Sequence, residues 1–314
     1  MLRLTLRRVA ALVPLLLLVT FIVWGLLLLI PGDPAQSLVG DSATPEQLAA
    51  VRSKLGLNDP WYERYASWLR DVVRGDLGTS LFTSYKVRDA IVDRLPVTLS
   101  LVGCSFVLSM LIGISSGVFA AVHKGKFADR LLTIGTSVGV AVPNFWLGLV
   151  LLTFLSAKLG WFPAGSYVPI TENPGQWLHH VALPAITLAL AAAAEVARQM
   201  RASMVDVLQR DFVRTHRARG MPMRVIVGRY GLKNALMPVV TVAGLQVARL
   251  FGLSTIVEQI FNLQGVGQLA VDSVFKRDIP VIQGIVLMVT LVVVLTNLVV
   301  DLSYGYLNPK VRDE

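Results

Sequence analysis

The chain has 314 residues, 54% of them apolar, with 29 Lys/Arg against 20 Asp/Glu for a net charge of +9. A mean hydropathy of +0.63, with the apolar residues gathered in long blocks, makes it an integral membrane protein and excludes a soluble globular domain. The cations sit in short segments beside those blocks, which reads as membrane topology and not as a nucleic-acid surface, and the lone cysteine, Cys104, permits neither an internal disulfide nor a cysteine metal cluster.

Arg3, Arg7 and Arg8 precede an uncharged run from Val9 to Ile30. As a helix it would rise about 33 Å, enough for the hydrocarbon core, so it predicts a first span with the N-terminus inside. A cleaved leader is not expected, because the run is too long and Ile30-Pro31-Gly32-Asp33-Pro34 offers no Ala-x-Ala site. From Asp33 to Arg94 eight cations face nine acids. This near-neutral stretch predicts an external insertion at 33–94, with Thr44 capping a helix and Trp61, Tyr62, Tyr65 and Trp68 recurring at helical spacing as a packing or interface stripe.

Leu95 to Val122 and Leu131 to Ala157 predict spans two and three around a basic cytoplasmic turn, with Pro143 kinking the third span. Lys158 to His180 is then an external loop, and His179-His180 reads as a solvated pair, since adjacent residues on a helix point about 100° apart. Val181 to Met200 is a fourth span, with Glu195 and Arg198 at one-turn spacing where they can pair.

Between the fourth and fifth spans lies a polar island, Arg201 to Leu236, closing in Met237-Pro238. It holds eight Arg/Lys against two acids, which puts it in the cytoplasm. Arg214-Thr215-His216-Arg217-Ala218-Arg219-Gly220 is helix-like and stopped by the glycine with Pro222 just after, so helix, bend and second helix are predicted. A loop that only sets orientation needs no such body, so something docks there. Leu236 to Val257 is span five, carrying Gln246 and Arg249 on one face near its centre. Glu195 should lie about 7 Å to the cytosolic side of the midplane and Arg249 about 4 Å to the external side. Direct pairing is therefore not expected, and a water-filled path against Gln246 and Arg249 is. Glu258 to Asp278 is external, Ile279 to Val300 is span six, and Asp301 to Glu314 lies inside.

The fold expected is all-α with six transmembrane helices and both termini cytoplasmic. It divides as 1–32, 33–94 and a core of 95–314 that contains the 201–236 loop. No phosphate loop, HExxH, GxSxG or Cys-x-x-Cys occurs, so no catalytic or metal site is expected and a self-powered pump or intramembrane hydrolase is poorly supported. Two other classes remain open. An ion-driven secondary transporter would want midplane carboxylates and an internal repeat, and a mere anchor for the external insertion leaves the folded island without a purpose.

The island resembles the EAA loop by which membrane subunits of type I ATP-binding cassette importers dock on their ATPases. The whole chain is similar to the dipeptide/oligopeptide permease subset, the DppB/OppB type, of binding-protein-dependent transport system inner membrane components. The matching landmarks include Ile30-Pro31-Gly32-Asp33-Pro34, Gly75-Asp76-Leu77-Gly78, Arg94-Leu95-Pro96-Val97-Thr98, Leu183-Pro184-Ala185, Arg277-Asp278-Ile279-Pro280 and Leu307-Asn308-Pro309. That resemblance implies ATPase coupling through Arg214, Thr215, His216, Ala218, Arg219, Gly220 and Met221, and half of a translocation path that includes Gln246 and Arg249. It also implies a second homologous permease, two ATP-binding subunits that hold the ATP and Mg, an extracytoplasmic substrate-binding protein, and a bacterial inner membrane. Peptides are the implied cargo, with nickel chelates, oligosaccharides or haem-like molecules as alternatives. His216 stands where a small residue is usual, and the spacing from Gly220 to Pro238 is longer than in sugar importers.

Overall fold

A computed structural model describes residues 13–25, 33–40, 43–54 and 56–307. Its helices in chain order are α1 (Val13–Gly25), α2 (Pro34–Val39), α3 (Pro45–Lys54), α4 (Trp61–Val73), α5 (Val87–Val122), α6 (Phe127–Ala141) and α7 (Asn144–Leu151), the last followed by a π-helical stretch, Leu152–Lys158. Then come α8 (Pro174–Leu208), α9 (Asp211–Ala218), α10 (Met223–Val225), a π-helical turn Ile226–Gly231, α11 (Leu232–Ile260), α12 (Val266–Lys276) and α13 (Ile279–Leu307). Among the described residues there is no strand, only an isolated bridge between Thr79 and Lys86.

Four helical segments are long and apolar enough to cross a membrane: α5, α8, Met223–Ile260 and Ile279–Val300. The pair α6 and Asn144–Lys158 makes a fifth crossing if it counts as one. The predicted first span is described only as the apolar α1, and the rest of Val9–Ile30 lies outside the described residues, as do residues 308–314.

The third span departs from expectation, for its halves are bent by 98° at Val142-Pro143 instead of kinked. Proline has no N–H, and its ring drives the preceding residue out of the helical region. Val142 accordingly sits at φ −75°, ψ 123°, α6 ends, and Pro143 starts a new helix by accepting from the Leu147 N–H at 3.1 Å.

The described residues form two compact units, one of Val97–Leu263 with the chain from Leu295 onward, the other of the chain up to Pro96 with Gln264–Val294. In the first, α8 is the central rod, touching α6, α7 and α11. Asn173 caps it, accepting from the Gln176 N–H at 3.0 Å, with Pro174 at the first position. Its buried face is rich in alanine, with Ala189, Ala192, Ala193, Ala194 and Ala197 along its middle. On α5, Gly113 and Gly117 press onto it. A β-carbon on Gly117 would stand 2.7 Å from the Ala197 carbonyl oxygen and the Met200 Cβ, and one on Gly113 would stand 2.6 Å from Val196. Two glycines four apart let helices approach backbone to backbone, where lipid gives no hydrophobic drive and packing must do the work. A bidentate pair, Arg201 Nε and Nη2 on the buried Asp129 at 2.5 and 2.8 Å, ties α8 to the first turn of α6.

In the second unit the aromatic stripe of α4 packs on α1. Tyr65 meets Phe21 and Trp24 edge-on and stacks on Trp68, while its hydroxyl lies 3.0 Å from that of Thr20. Thr44 caps α3 as expected, accepting from the Gln47 N–H while Gln47 Oε1 accepts from the Thr44 N–H, a capping box. Asp278 is buried and holds the turn after α4, accepting from Ser80 Oγ at 2.5 Å and from the Leu81 N–H at 3.2 Å.

Candidate functional site

The polar island folds as a hairpin continuous with α8 on one side and α11 on the other. After Leu208 the chain turns at Gln209 and Arg210 and enters α9. Helical spacing puts Phe212, Val213 and His216 on one face of α9: Val213 is buried, while Arg214, Thr215, Ala218, Arg219 and Gly220 are exposed. The helix ends as the sequence predicts. Gly220 takes φ +75°, its N–H donates to Arg217 O at 2.9 Å, and the Met221 N–H donates to His216 O at 3.1 Å. Those two bonds are a Schellman cap, which needs a left-handed residue where glycine sits.

His216 is half-buried and packs in place of a small residue. Its ring stacks on Tyr230 of the π turn at 4.3 Å, with Phe212 edge-on at 6.3 Å. The unusual histidine thus fastens α9 to the start of the long helix. Arg217 donates to Met223 Sδ at 3.6 Å across the bend. The local ion pairs, Arg210–Asp206 at 3.3 Å and Arg214–Asp211 at 3.5 Å, are solvated and add little stability. The seven residues of the expected coupling set are therefore contiguous on one hairpin, five of them exposed and His216 and Met221 half-buried. Beneath them lies an apolar floor of Met200, Met204, Val207, Val227, Ala235 and Val239.

A second polar cluster joins α8 to α11, and here the sequence expectation is corrected. Glu195 accepts from Arg249 at 2.6 Å and from Gln246 Nε2 at 2.7 Å, so the pairing that the depth estimate disfavoured is formed. That estimate centred each apolar run on the midplane. Yet α8 runs for 35 residues and α11 for 29, both well beyond a hydrocarbon core, so run centres do not fix depth, and the long arginine side chain covers the remaining offset. Glu195 is thereby taken from Arg198, its expected partner one turn on. Gln246 is buried, whereas Arg249 keeps 57% of its side chain exposed.

Glu258, placed by the sequence in an external loop, is instead in the last turn of α11, fully buried, and accepts from Thr98 Oγ1 at 2.7 Å. Span five is thus longer than its apolar run, and a carboxylate at the end of such a run carries no periodic signal. His179 Nε2 lies 2.7 Å from Trp161 O. Among the described residues no three His, Cys, Asp or Glu side chains converge as metal ligands.

Residues 113–313 match the family described as binding-protein-dependent transport system inner membrane component, and residues 1–102 match its N-terminal membrane component. The chain belongs to this family. It is the permease component of an ATP-binding cassette import system and a multi-pass membrane protein. A peptide transport system permease protein of Brucella abortus is 38% identical over 309 residues, 98% of each chain. The glutathione transport system permease protein of Escherichia coli K12 is 41% identical over 313 residues, 99% of each. Among solved structures, the MetNI methionine ABC transporter in an inward-facing conformation aligns over 69% of this chain and 96% of its own, with TM-score 0.58 and 18% identity, a likeness of fold.

Proposed function

We propose that this permease carries di- or oligopeptides, forming half of a path completed by a second homologous permease and driven by two ATPase subunits that bind ATP and Mg. The chain itself is non-catalytic, and a substrate-binding protein delivers cargo from outside. The observation that carries this is the likeness to peptide and glutathione permeases over 98–99% of the chain. The hairpin with its exposed Arg214, Thr215, Ala218, Arg219 and Gly220 is the docking element, with His216 and Met221 as its support. The decisive experiment is reconstitution with the ATPases and binding protein, followed by uptake of labelled peptides. ATP-dependent uptake supports the assignment. Uptake that follows an imposed proton or sodium gradient without ATP would replace it with a secondary transporter, and uptake only of nickel chelates, oligosaccharides or haem would change the cargo.

Six spans with both termini cytoplasmic and residues 33–94 outside is the proposed topology. A reporter fused after Arg130 or Glu314 should behave as cytoplasmic and one inserted near Gly56 as external. An external signal at Arg130 would end the six-span arrangement.

Of the two residues expected on the path, Gln246 is buried and holds Glu195 in place, and Arg249 together with Glu195 is proposed to face the path. A cation this exposed is costly against lipid and tolerable against water. Arg249→Ala should leave the complex assembled, since the pair is too solvated to dominate stability, yet lower uptake at least several-fold. Unassembled subunits with normal uptake in whatever assembles would make the pair a structural tie.

A further inference from the structure

A cleft of about 250 Å³ opens between α5, α6 and α8, lined by Ser116, Thr133, Thr136, Arg198 and Arg201, with Gly117 at its back. We propose that it binds the phosphodiester headgroup of an anionic phospholipid in the cytoplasmic leaflet. The space would hold roughly eight waters, ample for a phosphate.

The charge in the cleft is not cancelled. Arg198 is exposed and forms no ion pair among the described residues, because Glu195 one turn before it is occupied by Arg249 and Gln246. Asp129, one turn before Thr133, is also taken: Arg201 occupies both its oxygens and the Gly125 N–H shares one of them. Arg201 spends Nε and Nη2 on that carboxylate and retains Nη1, whose protons remain for a ligand. The neighbouring carboxylates are thus spent on cations of the protein, and a cationic head remains where α5, α6 and α8 meet.

The flank identifies the occupant as lipid. Ile112 of α5, one turn before Ser116, and Val140 of α6, one turn after Thr136, are exposed on the cleft side of their helices, an apolar surface for acyl chains leading away from the headgroup. The turn just before α6 adds Lys124 and Lys126, and basic groups at the cytosolic end of spans attract anionic lipid at about 1 kcal/mol each. The leaflet rests on the proposed topology, which puts this turn in the cytoplasm.

The test is native mass spectrometry of the purified full chain with phosphatidylglycerol, phosphatidylcholine or inorganic phosphate added. Wild type should retain phosphatidylglycerol over phosphatidylcholine by at least about fivefold. Arg198→Ala should erase that preference while eluting as a monodisperse protein, and Arg198→Lys should keep it. Equal retention of the two lipids by wild type, an unchanged preference in Arg198→Ala, its loss in Arg198→Lys, or displacement of phosphatidylglycerol by millimolar inorganic phosphate would each overturn the site. Neither ATP nor uptake enters the readout, so a failed importer assay and a failed lipid assay are separate results.

Discussion

Gly117→Val is expected to destabilise the permease more than any other single change discussed. Its Cβ would meet the Ala197 carbonyl oxygen and the Met200 Cβ at 2.7 Å, and a backbone carbonyl cannot rotate away as a side-chain tip can. Overpacking in a close-packed interior costs about 1–3 kcal/mol, and here the two extra methyl groups add to a contact already impossible for one carbon. With Gly113 as close to Val196, α5 cannot slide along α8 to escape. Thermal unfolding of the purified chain should fall by roughly 5–10 °C, with Gly117→Ala in between. A wild-type melting temperature for Gly117→Val would mean that α5 does not rest on α8 through these glycines.

Gly220→Val is expected to uncouple transport while leaving the protein inserted. At φ +75° a β-branched residue costs about 1–2 kcal/mol, and the Schellman bonds from Gly220 and Met221 hold the backbone there. No heavy atom lies within 4 Å of where the Cβ would be, so the fold has room and the damage is confined to the turn and to whatever seats on it. In the reconstituted complex, uptake and the ATP hydrolysis stimulated by binding protein should both drop about tenfold if that strain opposes docking. Gly220→Asn separates two causes, because asparagine accepts the left-handed region. Retained coupling in the asparagine variant makes backbone conformation the requirement, and its loss makes side-chain size the obstacle. Full coupling in Gly220→Val would remove this turn from the transmission altogether.

Features set by local chemistry were open to sequence reasoning. The Thr44 cap, the Gly220 stop and the long apolar helices follow from residue type and spacing alone. Pro143 was legible as a disturbance but not as a 98° corner, since sequence does not say whether neighbours will hold a helix together across a missing hydrogen bond. The Glu195–Arg249 contact depends on how two antiparallel rods are offset along their axes, a quantity that an apolar run does not carry. Glu258 was lost for the same reason, lying where hydropathy fades but helix continues. The Gly113-Ile114-Ser115-Ser116-Gly117 spacing, by contrast, is a readable small-residue motif, and its partner face is the alanine run of α8.

The length of α8 has a mechanical consequence. Its 35 residues make a rod of about 52 Å, some 20 Å longer than the hydrocarbon it crosses. One end is the Asn173 cap, and the other reaches the proposed docking hairpin after only Gln209 and Arg210. Between them it is gripped by α6, α7 and α11. Pro184 interrupts the hydrogen bonding of α8 near its Asn173 end, so under the proposed docking a thrust at the hairpin travels along the unbroken stretch from Ala185 to Leu208, as along a pushrod.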